Sequence, residues 1–139
     1  MASHDAGNRS PARRSVSVLV PGDALVVAAF LIVGELSHGI DPVAQPLHVL
    51  ETIAPFLVGW AVAAPLVGLY DDGALATPTR TVRLTTAAWL GAANVGLLLR
   101  GSPYFVGGTT WPFPLVITGI GLLFLVTWRV AAGRVLSGR

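Results

Sequence analysis

Apolar residues in this chain gather into four long blocks; they neither recur on one face of a helix nor alternate as in a half-buried strand. The blocks cover residues 22–39, 49–69, 82–99 and 112–132. Each is close to the roughly 20 residues that cross about 30 Å of hydrocarbon at about 1.5 Å per residue. None carries the polar stripe that a helix lying on a water-soluble core would need. The pattern therefore predicts an all-α protein: an integral membrane bundle of four transmembrane helices in residues 16–139. Residues 1–15, rich in Ser, Ala, Gly, Asn and Arg, show no apolar periodicity and are expected to form a disordered cytoplasmic tail.

Local signals place the ends of the blocks. Pro21-Gly22-Asp23 is expected to open the first helix, with proline in the first turn and Asp23 accepting from free amides, and Gly39 is expected to stop it. Pro55 and Pro65 fall inside the second block, where neighbouring helices of a bundle can satisfy the freed carbonyls. Pro112 and Pro114 mark the start of the fourth. Arg13-Arg14 ahead of an apolar run could also open a cleaved signal peptide. Asp23 within that run, and the lack of a small-residue cleavage site followed by soluble sequence, argue against it.

Composition narrows the chemistry. Of 139 residues 53% are hydrophobic and only 12% charged, half the roughly 25% charged share of soluble domains. The absence of cysteine removes thiol catalysis, iron–sulfur clusters and cysteine-based zinc sites. The pI near 9.9 does not point to nucleic acid, because the arginines are dispersed between apolar blocks and form no polar face. Their distribution instead orients the bundle. Arg9, Arg13 and Arg14, then Arg80 and Arg83, then Arg129, Arg134 and Arg139 stand at one end, and Arg100 alone stands at the other. Both termini are therefore expected in the cytoplasm, and this bias argues against insertion in two opposite orientations. Tyr70, Tyr104, Trp111 and Trp128 fall at block ends, where interfacial aromatics are expected.

Ionisable groups in or near the spans are candidate sites. Glu35 and His38 are three apart, as are His48 and Glu51, so each pair can share a helix face, and Arg100 falls at the same end. A cluster of these five could hold a metal, proton or anion. Alternatively, Glu35 or Glu51 simply neutralises Arg100 and sets helix register while the histidines sit in a wet loop, and this is the favoured reading. No metal or cofactor is expected, since a di-iron site needs further carboxylates and neither histidine stands mid-span for haem. At the other end, Asp23 and Arg129 can form a structural ion pair. Asn94 is expected to hydrogen-bond across helices at a close contact allowed by Ala87-x3-Gly91 and Ala92-x3-Gly96, with ligand binding as its alternative. Thr52-Ile53-Ala54-Pro55-Phe56 and Thr109-Thr110-Trp111-Pro112-Phe113 echo one another, as a duplicated hairpin would.

One set of motifs carries a resemblance. Asp23 opens an apolar helix closed by Gly34-Glu35-Leu36-Ser37-His38-Gly39, and Pro55-Phe56-Leu57-Val58-Gly59-Trp60, Leu99-Arg100-Gly101 and Thr127-Trp128-Arg129 follow. In these the chain resembles DUF3054, a family of four-helix membrane proteins of archaea and bacteria without an assigned activity. The resemblance implies an integral membrane protein and a shared purpose for Asp23, His38, Trp60, Arg100 and Arg129. Two roles stand level as expectations for this multi-pass protein of the cell membrane: transport of a small solute or ion as a homodimer, and a structural or accessory subunit of a membrane complex. An enzyme is not expected, because no nucleophile–base spacing, phosphate loop or metal-binding helix is present.

Overall fold

The computed structural model describes residues 11–105 and 107–138. Four helices follow in order, α1 (Pro11–Ser37), α2 (Pro46–Leu66), α3 (Pro78–Arg100) and α4 (Phe113–Ser137), with no strand among the described residues. All four are long and apolar enough to cross a membrane. They pack in a closed ring, each against its two neighbours, with α2 and α3 in the most extensive contact and α1 held more lightly by α2 and α4.

The helix ends follow from local chemistry. Pro46 and Pro78 begin α2 and α3, where a missing N–H costs nothing, and the Thr77 side chain accepts from the Arg80 amide at 3.1 Å. Gly39 and Gly68, at φ of 79° and 72°, take the left-handed conformation that ends α1 and α2, and the Ile40 and Leu69 amides reach back to Glu35 and Ala64. The turn at Gly68 ends α2 three residues earlier than apolarity alone suggests and folds Leu69 and Tyr70 back beneath the bundle.

The first helix departs most from expectation. It begins at Pro11, so residues 11–15 are helical and Asp23 lies in the middle of α1, far from its first turn. Pro21, expected in the first turn, lies inside α1 instead, because apolar Val16, Val18, Leu19 and Val20 carry the helix on ahead of it. Residues 1–10 of the expected tail lie outside the described residues. The two echoing segments also differ in place: α2 starts six residues before Thr52, whereas α4 starts four after Thr109.

Close approach of helices rests on small residues. A Cβ on Gly59 would overlap the Ala92 backbone, and one on Gly96 or Gly121 would overlap the rings of Phe56 or Trp89. These vacated positions admit an aromatic layer across mid-bundle. Trp89 meets Phe30, Phe56 and Trp60 at centroid distances of 5.8, 6.4 and 6.2 Å, and its indole N–H donates to the Thr118 carbonyl at 3.0 Å.

Candidate functional site

Polar groups form two layers, one on each side of the aromatic layer. The first lies toward the end that carries both termini. Asp23 of α1 is fully buried, and both its oxygens are occupied. Oδ1 accepts from the Trp128 indole at 2.9 Å and from Arg129 Nε at 3.0 Å. Oδ2 accepts from the Tyr70 hydroxyl at 2.6 Å and from Arg129 Nη2. The fully buried Arg129 places its remaining Nη1 on the Leu69 carbonyl at 3.1 Å and lies over the Tyr70 ring at 4.9 Å. Trp60 completes the set by donating to the Tyr70 oxygen at 3.0 Å. Gly22 is required beside Asp23, since a Cβ there would enter the Trp128 ring.

This arrangement joins α1, α2, the α2–α3 loop and α4 through one forked arginine–carboxylate pair and its donors. The carboxylate has no place left for a substrate, so its chemistry is that of a buried structural pair. Outside the helices, burial pushes the Tyr70 phenol above its ordinary range, and the Asp23 carboxylate it donates to adds to that rise. Tyr70 and Trp128 were expected at the membrane interface, yet both turn inward. A buried carboxylate needs several donors, and these are the ones the α2–α3 turn and α4 bring within reach. Trp60, which entered only through resemblance, belongs to the same set. The adjacency of Trp128 to Arg129 was the available signal.

The second layer lies at the opposite, distal end, and the expected five-residue cluster separates there. Glu35 pairs with His48 at 3.3 Å. Arg100 is buried without a carboxylate in ion-pair distance among the described residues; it donates to the Thr52 hydroxyl at 3.1 Å and the Gly108 carbonyl at 3.0 Å, and its guanidinium lies 4.7 Å from the Phe113 ring centre. The left-handed Gly107 makes room, since a Cβ there would collide with that guanidinium. His38 and Glu51 are exposed. Neither glutamate neutralises Arg100 by contact, because α1 ends away from α3 in the ring and Glu51 faces outward. Asn94 is exposed too and donates to Leu90 O of its own helix at 2.7 Å, so it makes no interhelical bond; Ala92 and Gly96, on the neighbouring face, make the close contact with α2.

Between α1 and α4, which touch only lightly in this half, opens a cavity of about 420 Å³. Its walls are Val26, Ala29, Phe30, Phe113, Ile117, Ile120 and Phe124, and its distal end carries Glu35, His38 and Thr52. That size and lining, apolar with a few convergent polar groups, is typical of a small-molecule site. The Glu35 side chain is 11% exposed, and its partner His48 carries charge only when protonated. Glu35 is thus a nearly buried carboxylate at the polar end of an apolar cleft.

The family of proteins of unknown function named DUF3054 matches residues 20–132. No curated protein and no solved structure matches the chain at a significant level.

Proposed function

Because this chain belongs to the DUF3054 family of proteins of unknown function, its role is read from its own geometry, and we propose that it is a non-enzymatic binding protein for a long-chain amine, taken sideways from the bilayer into the cleft between α1 and α4. The observation that carries this reading is the position of Glu35 at the polar end of the 420 Å³ apolar cavity. An alkyl chain lies along Phe30, Ile117, Ile120 and Phe124, where apolar burial stabilises it. The ammonium head meets Glu35, supplying the permanent cation that His48 provides only when protonated. Arg100 acts on Glu35 only through space, its hydrogen bonds going to Thr52 and Gly108, so the carboxylate keeps room for a direct ammonium contact.

The reading refines the expectation of solute handling. The packed layer of Phe56, Trp60 and Trp89 favours entry from the side over passage along the bundle axis. In the cell membrane, the arginine bias favours both termini in the cytoplasm, which puts the cleft in the outer leaflet. The bilayer is then the source of the ligand.

The test is thermal unfolding of the protein in lipid nanodiscs with dodecylamine, dodecanol or dodecanoate. Dodecylamine is expected to raise Tm most, and Ile120→Trp, which fills the cleft, and Glu35→Gln are each expected to abolish that rise. Equal stabilisation by dodecanoate would transfer the head-group site from Glu35 to Arg100 and overturn the amine assignment. No shift with any of the three would leave the accessory-subunit role as the better account.

A further inference from the structure

The outer face of α3 poses a separate question, independent of the cleft. Asn94 is six residues before the distal end of α3, about 9 Å inward at about 1.5 Å per residue, and so at hydrocarbon depth. Its side chain is exposed, and its hydrogen bond among the described residues is a donation back to Leu90 O. The amide oxygen and second N–H are left to the surroundings, where lipid offers neither donor nor acceptor. The surroundings sharpen this. The helix α3 is the least apolar of the four, but Arg83, Thr85 and Thr86 lie in its first half, so in its second half Asn94 stands as a polar side chain between exposed Leu90 and Leu98.

We propose that this face binds a second copy of the chain in a parallel, two-fold symmetric dimer, with the two Asn94 side chains hydrogen-bonded to each other. An asparagine carries both a donor and an acceptor, so two copies of one residue across a two-fold axis satisfy each other, which few unlike partners at this position would do. Both copies insert in the same sense, so their Asn94 residues meet at one depth. Around Asn94 the exposed positions are Ala87, Leu90 and Leu98. Their spacings of three and four match the seam of a left-handed helix pair, with small Ala87 allowing close approach and the leucines filling the holes opposite. A lone asparagine in such a seam sets register and pairing. Because α3 meets α1 through the interior Phe30–Trp89 ring contact and not through its outer face, this dimer leaves the α1–α4 cleft open to lipid.

The chain contains no cysteine, which makes single-cysteine crosslinking in native membrane vesicles direct. Leu98→Cys and Leu90→Cys are expected to give oxidised dimers. Leu123→Cys on α4 and Val62→Cys on α2, also on exposed faces, are expected to remain monomeric. In reconstituted liposomes, Asn94→Leu, which removes no contact between helices of the bundle, is expected to weaken dimerisation by about 3- to 30-fold, with Asn94→Gln retaining most of it. Crosslinks centred on α2 or α4, a monomer at every density, or an Asn94→Leu chain that dimerises as well as the wild type would each overturn the proposal.

Discussion

Two buried arginines divide this molecule between them, and they are held in opposite ways. Arg129 has a carboxylate gripped by two of its nitrogens, with Tyr70 and Trp128 satisfying the remaining valences of that carboxylate. Arg100 has only neutral acceptors and an aromatic face, and the glutamate of its layer turns instead to a histidine. Where charge is cancelled completely, as around Asp23, the group serves the fold. Where it is cancelled incompletely, as at Glu35, the proposed amine would find its partner. The cavity opens at the second layer and its lining includes none of the first-layer residues, which is why the binding proposal rests on the second layer alone.

Breaking the fully cancelled pair should have the largest effect. Asp23→Asn or Arg129→Met strands a buried charge and is expected to lower unfolding stability in mild detergent by about 3–5 kcal/mol. The double variant Asp23→Leu with Arg129→Met should recover much of that loss, because a buried pair replaced by apolar groups is often nearly neutral. Arg100→Met provides the contrast. No carboxylate loses a hydrogen-bonded partner, since Glu35 feels Arg100 only through space and keeps His48, so its cost should be far smaller, about 1 kcal/mol. Equal losses for Arg129→Met and Arg100→Met would erase the distinction between the layers.

Removing the acceptor instead of the cation sharpens the same contrast. Thr52→Val preserves shape but deprives a buried guanidinium of one partner, and a loss of about 1–3 kcal/mol is expected in the same unfolding assay. This should exceed the loss for Arg100→Met itself. The Glu35–His48 pair, whose histidine is 35% exposed, ranks below both: His48→Gln is expected to change stability by under about 1 kcal/mol, while Glu35→Gln should abolish amine binding.

The smallest effect is confined to alkaline pH. Tyr70 has its phenol raised above the ordinary value near 10 by burial and by Asp23. A raised folded-state value means that its contribution to stability is complete below about pH 10 and is lost as pH climbs through the folded value. An absorbance titration of wild type minus Tyr70→Phe should therefore show a tyrosine step displaced to high pH. A step at the ordinary value would mean that Tyr70 is not held against the carboxylate.

What the sequence determined by itself is the architecture: four apolar blocks, the stop at Gly39, and Asp23 and Arg129 as a candidate ion pair at the terminal end. These follow from short-range chemistry and from the cost of burying charge, which leaves few arrangements open. The tertiary structure decided everything that depends on rotation about a helix axis. Asn94 and Gly96 are two residues apart, yet one faces outward and the other receives Phe56. Glu35 lies in the last turn of α1 and His38 just past its end, yet Glu35 finds its partner on α2 while His38 stands exposed at the cavity mouth. Tyr70 turns from the interface to the interior because Gly68 reverses the chain beneath α2. In a helix apolar all round, hydrophobic pattern carries no azimuth, so only packing against neighbours can say which side of each helix looks inward.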